Sequence, residues 1–287
     1  MTFDRSTGRL LVMPAAVITV VFFVAPLVYF LRFAFERPSR TAFSEPVFTV
    51  ENFTRLFTSP FHVGALTRTV VVAAAATALA LLLALPVAYL ITKASPRRKA
   101  LLIILTVFPL LVGNVVRSIG WVALLGYSGV VNTVLTAVGI LDTPVELLRT
   151  ATTVTVAITS VVLPLMVLTL QASLEAVDPN TERAALDLGA RPLRVFRQVV
   201  LPQIVPGIAA GTSLVFVLCI NAYATPRLVG GAQVPMLAPV VYDTISSDNN
   251  WPFGACMAAV MLVVSLAVVA LYGTLLRRQF EGWRMAR

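Results

Sequence analysis

Residues 182–208 read ERAALDLGARPLRVFRQVVLPQIVPGI. Charges, two glycines and three prolines are crowded here between two long apolar runs, in a chain that is 58% hydrophobic. Local rules give this stretch a shape. Asp178 followed by Pro179 starts a helix, with an acceptor at the N-cap and proline at the first helical position. The helix runs through Ala184, Ala185 and Leu188 and stops at Gly189, which adopts the left-handed conformation without a Cβ penalty. Pro192 opens a second helix at a new angle. Leu193, Phe196 and Val200 share one face of it, and Arg194, Arg197 and Gln198 another. Leu201-Pro202 closes this element before the next apolar run. The stretch is thus a short helix, a bend and a second amphipathic helix. Two uses fit that shape. One is a hairpin on the membrane surface, its arginines against lipid phosphates. The other is a docking element, in which the small Ala184 and Ala185 admit a partner's backbone and the bend fills a cleft.

Around this stretch the composition is that of a membrane protein. The 287 residues have a mean hydropathy of +0.90 and only 12% charged side chains, about half the share usual in soluble domains. A helix needs about 20 apolar residues to cross the hydrocarbon layer. Six stretches qualify: 10–33, 67–91, 101–126, 152–173, 204–225 and 255–276. The third is the least regular, interrupted by Pro109, Gly113, Asn114 and Arg117. The first is too long for a secretion signal and has no A-x-A site after it, so it is expected to stay as an anchor. The fold class expected is an all-α membrane protein with six transmembrane helices in one domain, 1–287, and a loop at 174–203.

The net charge of +9 comes from basic residues grouped between apolar runs. This points to membrane orientation, with no nucleic acid as partner. If both termini lie on one side, that side holds Arg5, Arg9, Lys93, Arg97, Arg98, Lys99, Arg183, Arg191, Arg194, Arg197, Arg277, Arg278, Arg284 and Arg287. These are fourteen of the 22 basic residues, so both termini and the 174–203 loop are expected in the cytoplasm. Cys219 and Cys256 sit apart inside apolar runs, and His62 is the single histidine. No disulfide framework, metal site or catalytic constellation is expected from them.

The 182–208 stretch resembles the "EAA" loop of ABC-transporter permeases of the binding-protein-dependent import class. That pattern is E-A-A, three residues, glycine, nine residues, I-x-L-P. Ala184 and Ala185 hold the alanine places, Gly189 the glycine, and Leu201-Pro202 the end. Arg183 stands at the family's glutamate place, with Glu182 one residue earlier. The stretch NVVRSIGWVALLGYSGVVNTVL (114–135), with TPRLVGG (225–231), MLAPVVYD and NWPFGA (250–255), is similar to the spermidine/putrescine branch. The length and long N-terminal arm are similar to its first, B-type permease.

The resemblance implies a MetI-like ABC-importer permease fold, a core of five helices preceded by one extra helix, in the bacterial inner membrane. It implies four partners besides the bilayer: a second, similar permease, a cytosolic ABC ATPase dimer, a periplasmic solute-binding protein and a small solute. The solute expected is a polyamine; ferric iron, a phosphonate, thiamine or an opine are alternatives within the class. The chain is expected to be no enzyme and to hold no cofactor, with ATP used by the ATPase. It contains no G-x-x-x-x-G-K-[ST] phosphate loop, and Lys93 and Lys99 are its only lysines. None of the six stretches contains an Asp or Glu, which disfavours a self-sufficient secondary transporter. A six-span scaffold, the other rival, has no use for the bent loop.

Three groups of site residues are expected. Glu182, Arg183, Ala184, Ala185, Asp187, Gly189, Leu201 and Pro202 would couple the chain to the ATPase. Asn114, Arg117, Ser118, Asn221, Tyr223 and Thr225 would line the translocation pathway or its gate, or else bond neighbouring helices, with Arg117 reaching a carbonyl or the headgroups. Gly230, Gly231, Tyr242, Asp243 and Trp251 would lie on the external side against the binding protein, with Trp251 also suited to anchoring at the interface. NFTRLF (52–57) reads as an external amphipathic segment.

Overall fold

A computed structural model describes residues 13–14, 17–39 and 43–285, with side chains as far as Thr274. Among the described residues there is no strand, only one isolated bridge between Arg37 and Glu45. The described residues form these helices: α1 Val17–Phe35, α2 Glu51–Thr58, α3 Pro60–Lys93, α4 Pro96–Val107, α5 Asn114–Leu125, α6 Val130–Ala137, α7 Ala151–Glu175, α8 Pro179–Asp187, α9 Pro192–Ile220, α10 Leu237–Ser246 and α11 Trp251–Met285. Among the described residues six helical stretches are long and apolar enough to cross a membrane: α1, α3, α5 with α6 (114–137), α7, α9 and α11 to Thr274.

Two compact units form. Residues 1–64 and 240–262 make one, and residues 65–239 and 263–287 the other. In the first, the end of α1 is capped by its own loop. Asn52 of α2 donates to the carbonyls of Ala34 and Glu36 at 3.0 and 2.9 Å, the groups that a helix end leaves unsatisfied. Glu36 accepts from Arg32 Nε at 2.5 Å and from the Ser44 hydroxyl. Phe35 stacks on Phe48 at 5.7 Å and meets Phe53 at 5.1 Å. The amphipathic segment expected at 52–57 is α2.

The second unit is organised on α7 and α9, half of whose apolar windows are buried. Met166, Val167 and Leu170 of α7 pack with Ile204, Val215 and Phe216 of α9, and Ala76, Ala80, Ala84 and Ala88 of α3 join the same core. Lipid offers an apolar side chain no less than a neighbouring helix does, so close backbone approach has to hold such helices together. It is supplied at Gly207, where a Cβ would stand 1.8 Å from Ser173 Oγ, and one turn on at Gly211 against Met166 and Thr169. Buried hydroxyls bond their own helix: Thr69 to Ala65 O, Thr77 to Ala73 O and Thr212 to Ile208 O.

Two of the expected spans are built differently. The stretch 101–126 is not one helix. It divides into α4, a 3-10 turn at Phe108–Leu111 and α5. Pro109 has no N–H to continue the ladder, and Val112 and Gly113 are extended. The helix expected at 204–225 begins at Pro192 and ends at Ile220. Leu201-Pro202 does not close the amphipathic helix, because a π-turn at Phe196–Val200 carries it straight into the span. In that wider turn the Leu201 N–H bonds Phe196 O, five residues back, and the helix runs on through Pro202. Helices α3, α7 and α11 cover 67–91, 152–173 and 255–276 and overrun them. Within 10–33, residues 10–12, 15 and 16 lie outside the described residues, and so do Arg5, Arg9 and Arg287.

Candidate functional site

The 174–203 loop is a bent peg. The Asp178 side chain accepts from the Asn180 N–H at 2.9 Å and caps α8. Gly189 has φ +83°, and nothing lies within 4 Å of where its Cβ would be. Backbone conformation alone requires glycine there. Ala190 N–H then bonds Ala185 O and Gly189 N–H bonds Leu186 O, a glycine-terminated helix end. The outer surface carries Arg183, Ala184 and Asp187, with Ala185 half-buried. Beside them stand three large apolar side chains: Leu188, 89% exposed, Leu193, 69%, and Leu186, 42%. Burying such side chains is favourable by about 1.5–3 kcal/mol each, so the peg presents an apolar tip ringed by charge. The tip was not among the expected site residues, although Leu186 and Leu188 flank Asp187 in the sequence. Glu182 does not belong to this surface. It turns inward, accepts from Tyr89 Oη at 3.0 Å and pairs with Lys93 Nζ. Leu201 and Pro202 are half-buried at the end of the π-turn.

A second feature of the same unit is a cavity of about 530 Å³. Its lining includes Leu110, Asn114, Arg117, Val161, Asn221, Tyr223 and Thr225. Five of the six expected pathway residues therefore converge. Arg117 Nη2 donates to Val112 O at 2.9 Å, the carbonyl exposed by the break before α5, and Nη1 approaches Val161 O at 3.4 Å. Its Nε is buried without a partner. Asn221 donates to Val217 O at 2.8 Å. The sixth residue, Ser118, is buried outside the lining, its hydroxyl 3.0 Å from Thr225 Oγ1. It joins α5 to the segment after α9. Trp121 acts alongside, donating to Ser160 Oγ on α7 at 2.9 Å. Among the described residues no carboxylate lines the cavity.

The residues expected on the external side divide between the units. Gly230 is buried and Gly231 follows it at the end of a π-turn, Pro226–Gly230, in the second unit. Tyr242 and Asp243 stand on α10 and Trp251 opens α11, in the first. Trp251 meets Phe43 edge-on at 5.0 Å and donates to Asn249 Oδ1. Near it, Arg55 lies over the Phe253 ring at 4.4 Å. Among the described residues no group of three or more His, Cys, Asp or Glu is placed to hold a metal.

A multi-helix chain with a bent, apolar-tipped loop and a cavity between its spans that holds an arginine and amides has the form of a membrane transport subunit. Comparison with known proteins agrees. Residues 148–281 match the family described as binding-protein-dependent transport system inner membrane component. The spermidine/putrescine transport system permease protein PotB of Haemophilus influenzae is 32% identical over 236 residues, covering 81% of this chain and 82% of that one. PotB of Escherichia coli is 29% identical over 253 residues, covering 88% and 92%. Among solved structures, a bacterial ABC transporter that imports the acidic polysaccharide alginate superposes with a TM-score of 0.76 at 19% identity, over 93% of this chain and 94% of that chain. The chain belongs to the inner-membrane permeases of binding-protein-dependent ABC importers, in the branch of the spermidine/putrescine permeases. It is a multi-pass protein of the inner membrane and a transport permease, not an enzyme.

Proposed function

We propose that this permease forms one half of the translocation pathway for a polyamine, spermidine or putrescine. The observation that carries this reading is the 32% identity to a spermidine/putrescine permease over four-fifths of both chains. In this reading the chain pairs with a second permease and receives solute from a periplasmic binding protein. Both termini and the peg face the cytoplasm, where an ATPase dimer hydrolyses ATP and grips the peg around Ala184, Ala185, Leu188 and Gly189. Arg183 and Asp187 flank that grip, and Leu201-Pro202 pass its motion into α9. The motor's rigid-body motion becomes a change of access to the cavity at Asn114, Arg117, Asn221, Tyr223 and Thr225. Gly230, Gly231, Tyr242, Asp243 and Trp251 belong to the face that meets the binding protein. Among the described residues the cavity lining carries an arginine and no acid; in this reading the binding protein selects the cation and the permease gives passage.

One observation favours a second reading, an aminoalkylphosphonate. The charged side chain of the cavity is Arg117, and a putative 2-aminoethylphosphonate permease of Salmonella typhimurium is 33% identical over 129 residues, 45% of this chain and of that one. Uptake of labelled spermidine and putrescine by the reconstituted importer separates the two. ATP-dependent polyamine uptake that 2-aminoethylphosphonate does not compete away is the expected result. Uptake of the phosphonate alone overturns the polyamine reading.

A further inference from the structure

The motion of a peg reaches α7 and α9 through the chain itself, because α8 is joined to both. Helix α3 has no such link, since residues 94–150 intervene before α7. The structure supplies a non-covalent one. The Glu182 side chain is 15% exposed and Lys93 45%, so their pair is partly sheltered from water, and the Tyr89 hydroxyl adds a charge-assisted hydrogen bond to it. Tyr89 and Lys93 stand one turn apart at the end of α3, with the Lys93 ammonium 5.5 Å from the Tyr89 ring centroid. The same ring meets Phe196, from the other limb of the loop, edge-on at 5.1 Å. One tyrosine therefore touches both limbs of the peg. All of these contacts fall beyond Pro86, the proline inside α3, where the helix lacks one backbone hydrogen bond.

We propose that Glu182 is a positioning residue that straps the peg to α3, so that the motor's stroke displaces the end of the second span together with α7 and α9. The proposal rests on the reading of the peg as the ATPase-docking element. It also explains how Arg183 can stand where the resembling loops carry their glutamate. In this chain the acid has moved one residue back, about 100° around the helix, and looks into the permease.

The test uses the full importer, with both permeases, the ATPase and the binding protein in liposomes, and compares Glu182→Lys with the swap Lys93→Glu/Glu182→Lys. Glu182→Lys is expected to keep the ATPase in the purified complex and to keep hydrolysis stimulated by the loaded binding protein. Uptake per ATP should fall about tenfold, the size of losing a charge-assisted hydrogen bond. The swap should restore most of it. Unchanged uptake by Glu182→Lys overturns the strap. So does a swap that inserts and assembles but remains uncoupled, since Glu182 then acts on something other than Lys93. Loss of the ATPase from the Glu182→Lys complex places Glu182 on the docking face and overturns it too. Failure of the unsubstituted chain to retain any ATPase removes the docking reading itself, and the strap with it.

Discussion

In the 174–203 loop, polar and apolar side chains alike project beyond the fold or across to another helix. Around the cavity, the polar side chains bond carbonyls within the permease, including one that the fold itself has freed. Leu188 and Arg183 are exposed, and Gly189 is required by its φ alone. Arg117 satisfies a carbonyl stranded at the 3-10 break, and Ser118 ties α5 to Thr225. A change in the loop should therefore alter coupling while sparing assembly. A change at the cavity should disturb structure and transport together.

The largest effect is expected from Gly189→Pro. Proline fixes φ near −65° where the chain has +83°, so the second limb of the peg must point elsewhere. Uptake should fall to background while membrane insertion stays normal; uptake at the original level breaks the contrast. Gly207→Val comes next. Its side chain meets Ser173 Oγ where α9 lies close against α7, and overpacking of this kind costs about 1–3 kcal/mol. A lower thermal unfolding midpoint in detergent, with uptake falling in proportion to the protein lost, is the expected pattern. Arg117→Ala leaves the Val112 carbonyl unsatisfied at a cost of about 1–3 kcal/mol. Expression and uptake should fall together. Uptake falling alone sharpens the contrast differently, by making Arg117 a gate.

The smallest effect concerns Glu36. Burial pushes its carboxyl up, but the hydrogen bonds from Ser44 and Arg32 and the charge of Arg32 outweigh this and hold it below the ordinary 4.5. A carboxylate lowered in the folded state adds stability above the unfolded value, and this is lost as pH falls through the folded one. The cap over α1 should loosen below about pH 4.5, as protection of the Asn52 side-chain amide from hydrogen exchange reports, and Glu36→Gln should lose that pH dependence.

What could be read from the sequence follows the reach of each interaction. Asp178, Gly189 and Pro192 act on neighbours a few residues away, so the peg's start, bend and second limb were legible. Pro109 and Gly113 marked the irregular stretch, but the 3-10 turn and the stranded carbonyl they create were not foreseen. Leu201-Pro202 resembles a stop because proline ends an ordinary α-helix, and no local signal marks the π-turn upstream that carries the helix through it. The cavity's polar residues were found because amides and a guanidinium inside apolar runs are costly and rare. Their convergence, and the exclusion of Ser118 from the lining, depend on packing. The inward turn of Glu182 was beyond reach, since Lys93 lies 89 residues away and nothing local distinguishes an acid facing a lysine from one facing water.

The π-turn at 196–200 has a consequence for how such a machine changes over time. An α-helix advances about 100° per residue, so one extra residue in a single turn swings everything before it around the axis by that angle while the span beyond keeps its packed face. Removing one residue there would re-index Arg191 and Arg194 on the second limb against the span beyond. Insertion or deletion at this point would thus act as an azimuth dial, turning the exposed arginine face of the second limb while the packed span keeps its place.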